Sequence, residues 1–123
     1  MPKENKVELV EKLYDLFKAI RNVDEFTRKT GAIATVFKRV GDDFVRISTT
    51  SKAEDGTNAI NTRLDRSSDV YKALIRNKVF VGETKLFGKL TFAKYAPFFW
   101  DDENCVLLAL AVAVPIKYKC KCH

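Results

Sequence analysis

Between Thr35 and Leu64 an arginine, several hydroxyls and a phenylalanine recur at alternating positions. That combination suits the capture of a small anion. Two runs of strand composition, Ile33 to Val40 and Asp43 to Thr50, flank Gly41-Asp42, and a Gly-first two-residue loop is one of those that join antiparallel strands. The turn sets Val40 opposite Asp43. It follows that Thr35 faces Ser48, Phe37 faces Arg46 and Arg39 faces Phe44 on one side of the hairpin, with Ala34, Val36, Val45 and Ile47 on the other. An inward arginine at a strand centre must have its charge met, and its planar fork fits a bidentate carboxylate or phosphate. Thr35, Ser48 and either Thr91 or Tyr95 offer hydroxyls beside it, and Phe37 an apolar wall. The partner of Arg46 is either an internal acid, such as Glu83 or Asp65, or a bound anion, and both readings stay open at this stage.

Other chemistry is sparse. There is no phosphate-binding glycine loop and no dinucleotide fingerprint, and the single histidine is the terminal His123, so a Ser-His-Asp triad is excluded. Cys122 and His123 are adjacent at a chain end, without the held geometry that nucleophilic catalysis needs. No pair of carboxylates sits in an apolar setting that would raise a pKa for acid-base work. The expectation is a non-catalytic protein without a cofactor. The tail Lys119-Cys120-Lys121-Cys122-His123 lacks the two-residue gap of zinc knuckles, so residues 117–123 read as a basic tail and not a metal site. Cys105, Cys120 and Cys122 form an odd set, which fits a reducing compartment better than a disulfide framework.

At 123 residues the chain has the length of one domain, and its net charge of +6 is interleaved with acids, the pattern of a solvated surface. A rival reading is a basic nucleic-acid or protein-interaction module that uses exposed Phe and Tyr as stacking platforms. No recognised nucleic-acid motif accompanies the charge, so no nucleic-acid partner is expected. The longest apolar run, Val106 to Pro115, is too short to span a bilayer as a helix.

The elements that must position these residues can be read from periodicity. Val7, Val10, Leu13, Tyr14, Phe17 and Ile20 recur at helical spacing, predicting an amphipathic helix over about residues 5–21 that packs on a sheet. Leu9 and Leu16 widen its stripe enough for a partner helix. Ser51 to Asn58 reads as a loop over the sheet, followed by an extended piece from Ile60 to Leu64. Ser67 or Ser68 caps a short second helix that runs to about Arg76. Three further strands follow, Val79 to Phe87, Leu90 to Phe98 and Cys105 to Val114, with turns at Gly88-Lys89 and Asp101 to Asn104. The last strand points Val106, Leu108, Leu110, Val112 and Val114 one way and Cys105, Leu107, Ala109, Ala111 and Ala113 the other. The alanine side either leaves space for a ligand or is filled by large side chains such as Phe80, Phe87 or Phe92. The fold class is α+β, a five-stranded antiparallel sheet with a long N-terminal helix on one face and loops plus a short helix on the other.

The ordered motifs Thr35-Val36-Phe37, Gly41 to Thr49, Asp55 to Leu64, Phe80-Val81-Gly82, Leu86-Phe87-Gly88 and Tyr95-Ala96-Pro97 resemble the Cache superfamily. The similarity is to the single-Cache sensor modules of methyl-accepting chemotaxis receptors and sensor kinases, and it runs from about Gly31 to Ile116. It implies one PAS-like domain over residues 1–116 that binds a small molecule, often a carboxylate or amino acid, and signals through its end helices, commonly as a homodimer. Carried over by position, it implies Phe37, Arg46, Ser48, Thr62, Phe80, Gly82, Phe87 and Tyr95 as pocket residues. A Cache fold kept for dimerisation alone, with no ligand, is the remaining alternative. Asn58 and Asn61 stand where the family usually has a basic residue and a glycine, so ligand identity does not carry over. The expected location is extracytoplasmic if the chain is part of a receptor and cytoplasmic if it is complete.

Overall fold

The computed structural model describes residues 5–99 and 107–116. The expected turn at Asp101 to Asn104, Cys105 and the tail after Ile116 lie outside them. Three helices and five strands follow in the order α1 (Lys6–Ile20), α2 (Val23–Thr30), β1 (Ile33–Val40), β2 (Asp43–Thr49), α3 (Asp69–Leu74), β3 (Phe80–Leu86), β4 (Lys89–Phe99) and β5 (Leu107–Pro115). The sheet order is β2-β1-β5-β4-β3, with every neighbouring pair antiparallel. The first and last parts of the chain therefore meet at its centre, and β2 and β3 form its edges.

Helix starts are set by side-chain caps. Asn5 Oδ1 accepts from the backbone N–H of Glu8 at 3.0 Å, Asn22 Oδ1 from that of Glu25 at 2.9 Å, and Ser68 Oγ from that of Tyr71 at 3.0 Å. Each satisfies a backbone donor that the first turn leaves free. The second of these caps opens a helix that periodicity alone does not reveal. α2 has two buried residues, Val23 and Phe26, too few for a stripe, but Asn22 with Glu25 three residues on and Gly31 just past the end are its start and stop signals. Arg21, left-handed at φ 63°, breaks α1 from α2.

Two apolar cores sandwich the sheet. On one face Val10, Tyr14 and Phe17 of α1 and Val23 and Phe26 of α2 pack on Ala34, Ala96 and Val112, with the Phe17 and Phe26 rings 5.3 Å apart. Lys94 of β4 donates to Glu11 of α1, and its ammonium lies 4.3 Å from the centre of the Tyr14 ring. Val7, expected within the buried stripe, is 48% exposed, and Leu9 and Leu16 are exposed on the other flank of the helix. On the other face Val70 and Leu74 of α3 join Phe37, Phe44, Leu64, Leu86, Tyr95 and the three alanines of β5. The predicted asymmetry of β5 holds, since Leu110, Val112 and Val114 turn to α1 while Ala109, Ala111 and Ala113 turn away. Their alanine face is not open. Phe37 stands opposite Ala109 and Tyr95 opposite Ala111, both rings buried in that cluster, while Phe92 lies on the α1 side.

The first hairpin departs from the predicted register at one point. Phe37 pairs with Arg46 and Arg39 with Phe44 as expected, but Thr35 pairs with Thr49 and Val36 with Ser48. Ile47 is the extra residue of a β-bulge and is 42% exposed. One inserted residue reverses the side that every later side chain occupies. Ser48 therefore turns to the opposite face, and buried Thr49 stands beside Thr35, their hydroxyls 2.7 Å apart.

Candidate functional site

Arg46 is 4% exposed. Its Nη1 donates to Thr62 Oγ1 at 3.1 Å and to the Arg63 carbonyl at 3.2 Å. The Phe37 and Phe87 rings lie 5.1 and 4.8 Å from the guanidinium carbon, close enough for cation–π attraction on both sides. Its Nε is buried with no hydrogen-bond partner. Among the described residues no carboxylate forms an ion pair with it. Burial pushes the guanidinium down from its usual pKa, opposed by the nearby Tyr95 phenol, but an arginine remains charged at neutral pH. A buried cation without a counter-ion is costly, which makes Arg46 the candidate anion receptor of the fold.

Two local features hold Arg46 there. Segment 62–64 runs beside β2 as a short extra strand: the Arg46 N–H donates to the Thr62 carbonyl at 2.9 Å and the Leu64 N–H to the Phe44 carbonyl at 2.9 Å. That places the Thr62 hydroxyl and Arg63 carbonyl against Nη1. Phe87 heads the β3–β4 turn at φ 51°, with Gly88 at φ 82°, the left-handed pair of a tight hairpin turn. Phenylalanine is unfavourable there, by roughly 1–2 kcal/mol, yet the turn is what aims its ring at Arg46.

A cleft of about 580 Å³ opens in front of these groups. Arg46, Phe87 and Tyr95 lie at its inner side, Glu83 to Leu86 and Gly88 of the second hairpin form one wall, and Arg63, Leu64, Asp65 and Ser67 to Val70 form the other. The volume lies within the usual range of small-molecule sites. Neither acid weighed as an internal partner reaches Arg46. Glu83 stands opposite Phe92, a residue of the α1 side, so its side chain points away from the cleft. Asp65 accepts from the Ser67 N–H and hydroxyl instead, bonds that hold its carboxyl below the usual range.

The other expected residues divide. Thr62 positions Arg46 without lining the cleft, Phe37 stacks on it from the core, and Phe80 backs Tyr95 with ring centres 6.3 Å apart. Gly82 takes φ 157°, and a Cβ there would meet the Phe80 ring in ordinary contact at 3.5 Å. Thr35 and Thr91 spend their hydroxyls on Thr49 and on the Thr84 carbonyl. Ser48 is displaced by the bulge. The Cache resemblance places the pocket between the sheet and the loops after β2, but none of the wall residues from Arg63 to Val70 is among the expected site residues; their signal is the turn chemistry of Asp65-Arg66-Ser67-Ser68, which also caps α3.

The Cache 3/Cache 2 fusion domain family matches residues 6–121. The chain belongs to this Cache family. Its α+β architecture, a five-stranded antiparallel sheet behind an N-terminal helix, is the Cache/PAS-like fold. Cache domains are sensory, non-catalytic modules of signal transduction that bind small molecules, typically in extracytoplasmic sensor regions. Neither a curated protein nor a solved structure matches the chain. Among the described residues of this Cache domain, no helix is long and apolar enough to cross a membrane.

Proposed function

We infer that this Cache domain senses a small carboxylate, of organic-acid or amino-acid type, held by Arg46. The observation that carries the reading is the buried, unpartnered Nε of a charged guanidinium beside a cleft. With Nη1 committed to Thr62 and Arg63, the free edge is Nε with Nη2, and two parallel N–H groups match the two oxygens of a carboxylate. Asp65 and Asp69 on the facing wall give an ammonium group a favourable place, which supports amino acids over simple acids. The rival nucleic-acid reading needs exposed aromatic platforms; Phe37, Phe44 and Tyr95 are buried, and the exposed large apolar residues among those described are aliphatic.

Signal output in this reading runs through β4. Tyr95 lines the cleft, and its neighbour Lys94 holds α1 through Glu11 and Tyr14, so a ligand that prefers one position of β4 also biases α1. Leu9 and Leu16, two turns apart on one exposed flank of α1, supply apolar contacts for a second copy, as in chemotaxis receptors. A thermal-shift screen against organic acids, amino acids and amines tests the function. Stabilisation by a carboxylate compound that is lost in Arg46→Ala supports it, and a flat response across the panel refutes it.

A further inference from the structure

We propose that the ligand of this cleft is a short peptide with a free C-terminus, bound as an added strand on the open edge of β3. The proposal rests on the carboxylate reading of Arg46 and extends it along the wall of the cleft. The β3–β4 hairpin closes on a two-residue loop, with Leu86 paired to Lys89 and Thr84 to Thr91. In such a ladder alternate residues turn both backbone groups to the partner strand. Leu86, Thr84 and Gly82 therefore bond to β4, and Thr84 also accepts the Thr91 hydroxyl.

Glu83 and Lys85 consequently turn their N–H and C=O groups outward. β3 is the last strand of the sheet, and among the described residues no backbone or side-chain group pairs with these four. Both residues line the cleft, although alternation sends their side chains to the α1 side, where Glu83 stands opposite Phe92. What they present to the cleft is main chain. An unpaired edge bordering a cleft is the recognition element of strand addition, in which backbone hydrogen bonds supply affinity.

The remaining features fit the same occupant. Pairing with both Glu83 and Lys85 takes about three residues, roughly 10 Å at ~3.3 Å per residue, and the cleft of about 580 Å³ is larger than one amino acid needs. Arg46 supplies the bidentate donor for a terminal carboxylate, and Asp65 and Asp69 face the strand from the other wall. A free amino acid engages Arg46 and the facing acids but leaves the β3 edge unused.

Calorimetric titration of the full chain separates the two levels of the reading. The probes are alanine, lactate, trialanine, triglycine, trialanine amide, and trialanine methylated on its central nitrogen. Trialanine or triglycine is expected to bind at least tenfold tighter than alanine. Removing the terminal charge should abolish this advantage, and methylating the amide should reduce it about tenfold, the effect of one net hydrogen bond. In Lys85→Pro, which deletes one outward N–H while leaving the bonds to β4 in place, the ratio of trialanine to alanine affinity should fall about tenfold. If alanine or lactate binds as tightly as the tighter of the two peptides, or if N-methylation changes nothing, the peptide proposal is overturned and the carboxylate reading stands. If no acid and no peptide binds, both fall together.

Discussion

At Arg46 the sign of a stability change separates a receptor from a structural ion pair. The guanidinium is buried, stacked between Phe37 and Phe87 and without a carboxylate, so in the free protein its charge opposes folding. Arg46→Met keeps the length and apolar contacts and removes the charge. It should raise unfolding free energy by about 1 kcal/mol or more in denaturant titrations while abolishing the response to carboxylates. An arginine that held the fold through an acid would give the opposite sign. Phe87 makes a related trade: at φ 51° it occupies a conformation that asparagine adopts readily. Phe87→Asn should stabilise the turn by roughly 1 kcal/mol and weaken carboxylate binding, because a ring that contacts the guanidinium is lost. Thermal shifts with and without ligand measure both effects.

The elements show what was legible in the sequence and what was not. The six-fold recurrence of apolar residues in α1, the turn at Gly41-Asp42 and the alternation of β5 are local patterns that place those elements within a few residues, while the turn expected at Gly88-Lys89 falls one residue earlier, at Phe87-Gly88. α2 escapes periodicity because eight residues with two buried positions carry almost no stripe, and only its caps identify it. The bulge at Ile47 escapes because nothing in the sequence of β2 marks an extra residue; the register depends on β1 pairing with β5 across more than sixty intervening residues. That single residue turned Ser48 to the α1 side and set Thr49 beside Thr35 instead. Of the residues named from the sequence, Arg46, Phe87 and Tyr95 line the cleft, whereas its Arg63 to Val70 wall depends on where the chain after β2 lies relative to β3, which no local pattern records. The alanines of β5 are packed under Phe37 and Tyr95, so Ala111→Leu should cost about 1–3 kcal/mol by overpacking. A neutral result in denaturant unfolding would mean that space lies open there.

Across the whole molecule the two cores respond to alkali together. Burial pushes the Tyr14 phenol up to about 12, helped by Asp15 and Glu11, and raises that of Tyr95 beyond its usual 10.0. The unfolded phenols titrate near 10, so above that pH the unfolded chain holds fewer protons than the folded one and stability falls as pH rises toward 12. Tyr14→Phe should remove part of that fall, read as a smaller loss of thermal midpoint across the same interval. One face of the sheet thus fixes α1 through Tyr14, Glu11 and Lys94, while the other places Arg46, Phe87 and Tyr95 at a cleft, with β4 common to both. In the proposed reading Arg46 receives the ligand carboxylate. Its buried Nε–H gives a direct probe: in a proton–nitrogen correlation spectrum of the protein labelled at arginine, one Nε–H resonance, absent in Arg46→Met, should move downfield in step with saturation by a carboxylate ligand. Saturable binding that leaves that resonance unmoved would show that Arg46 does not hold the carboxylate.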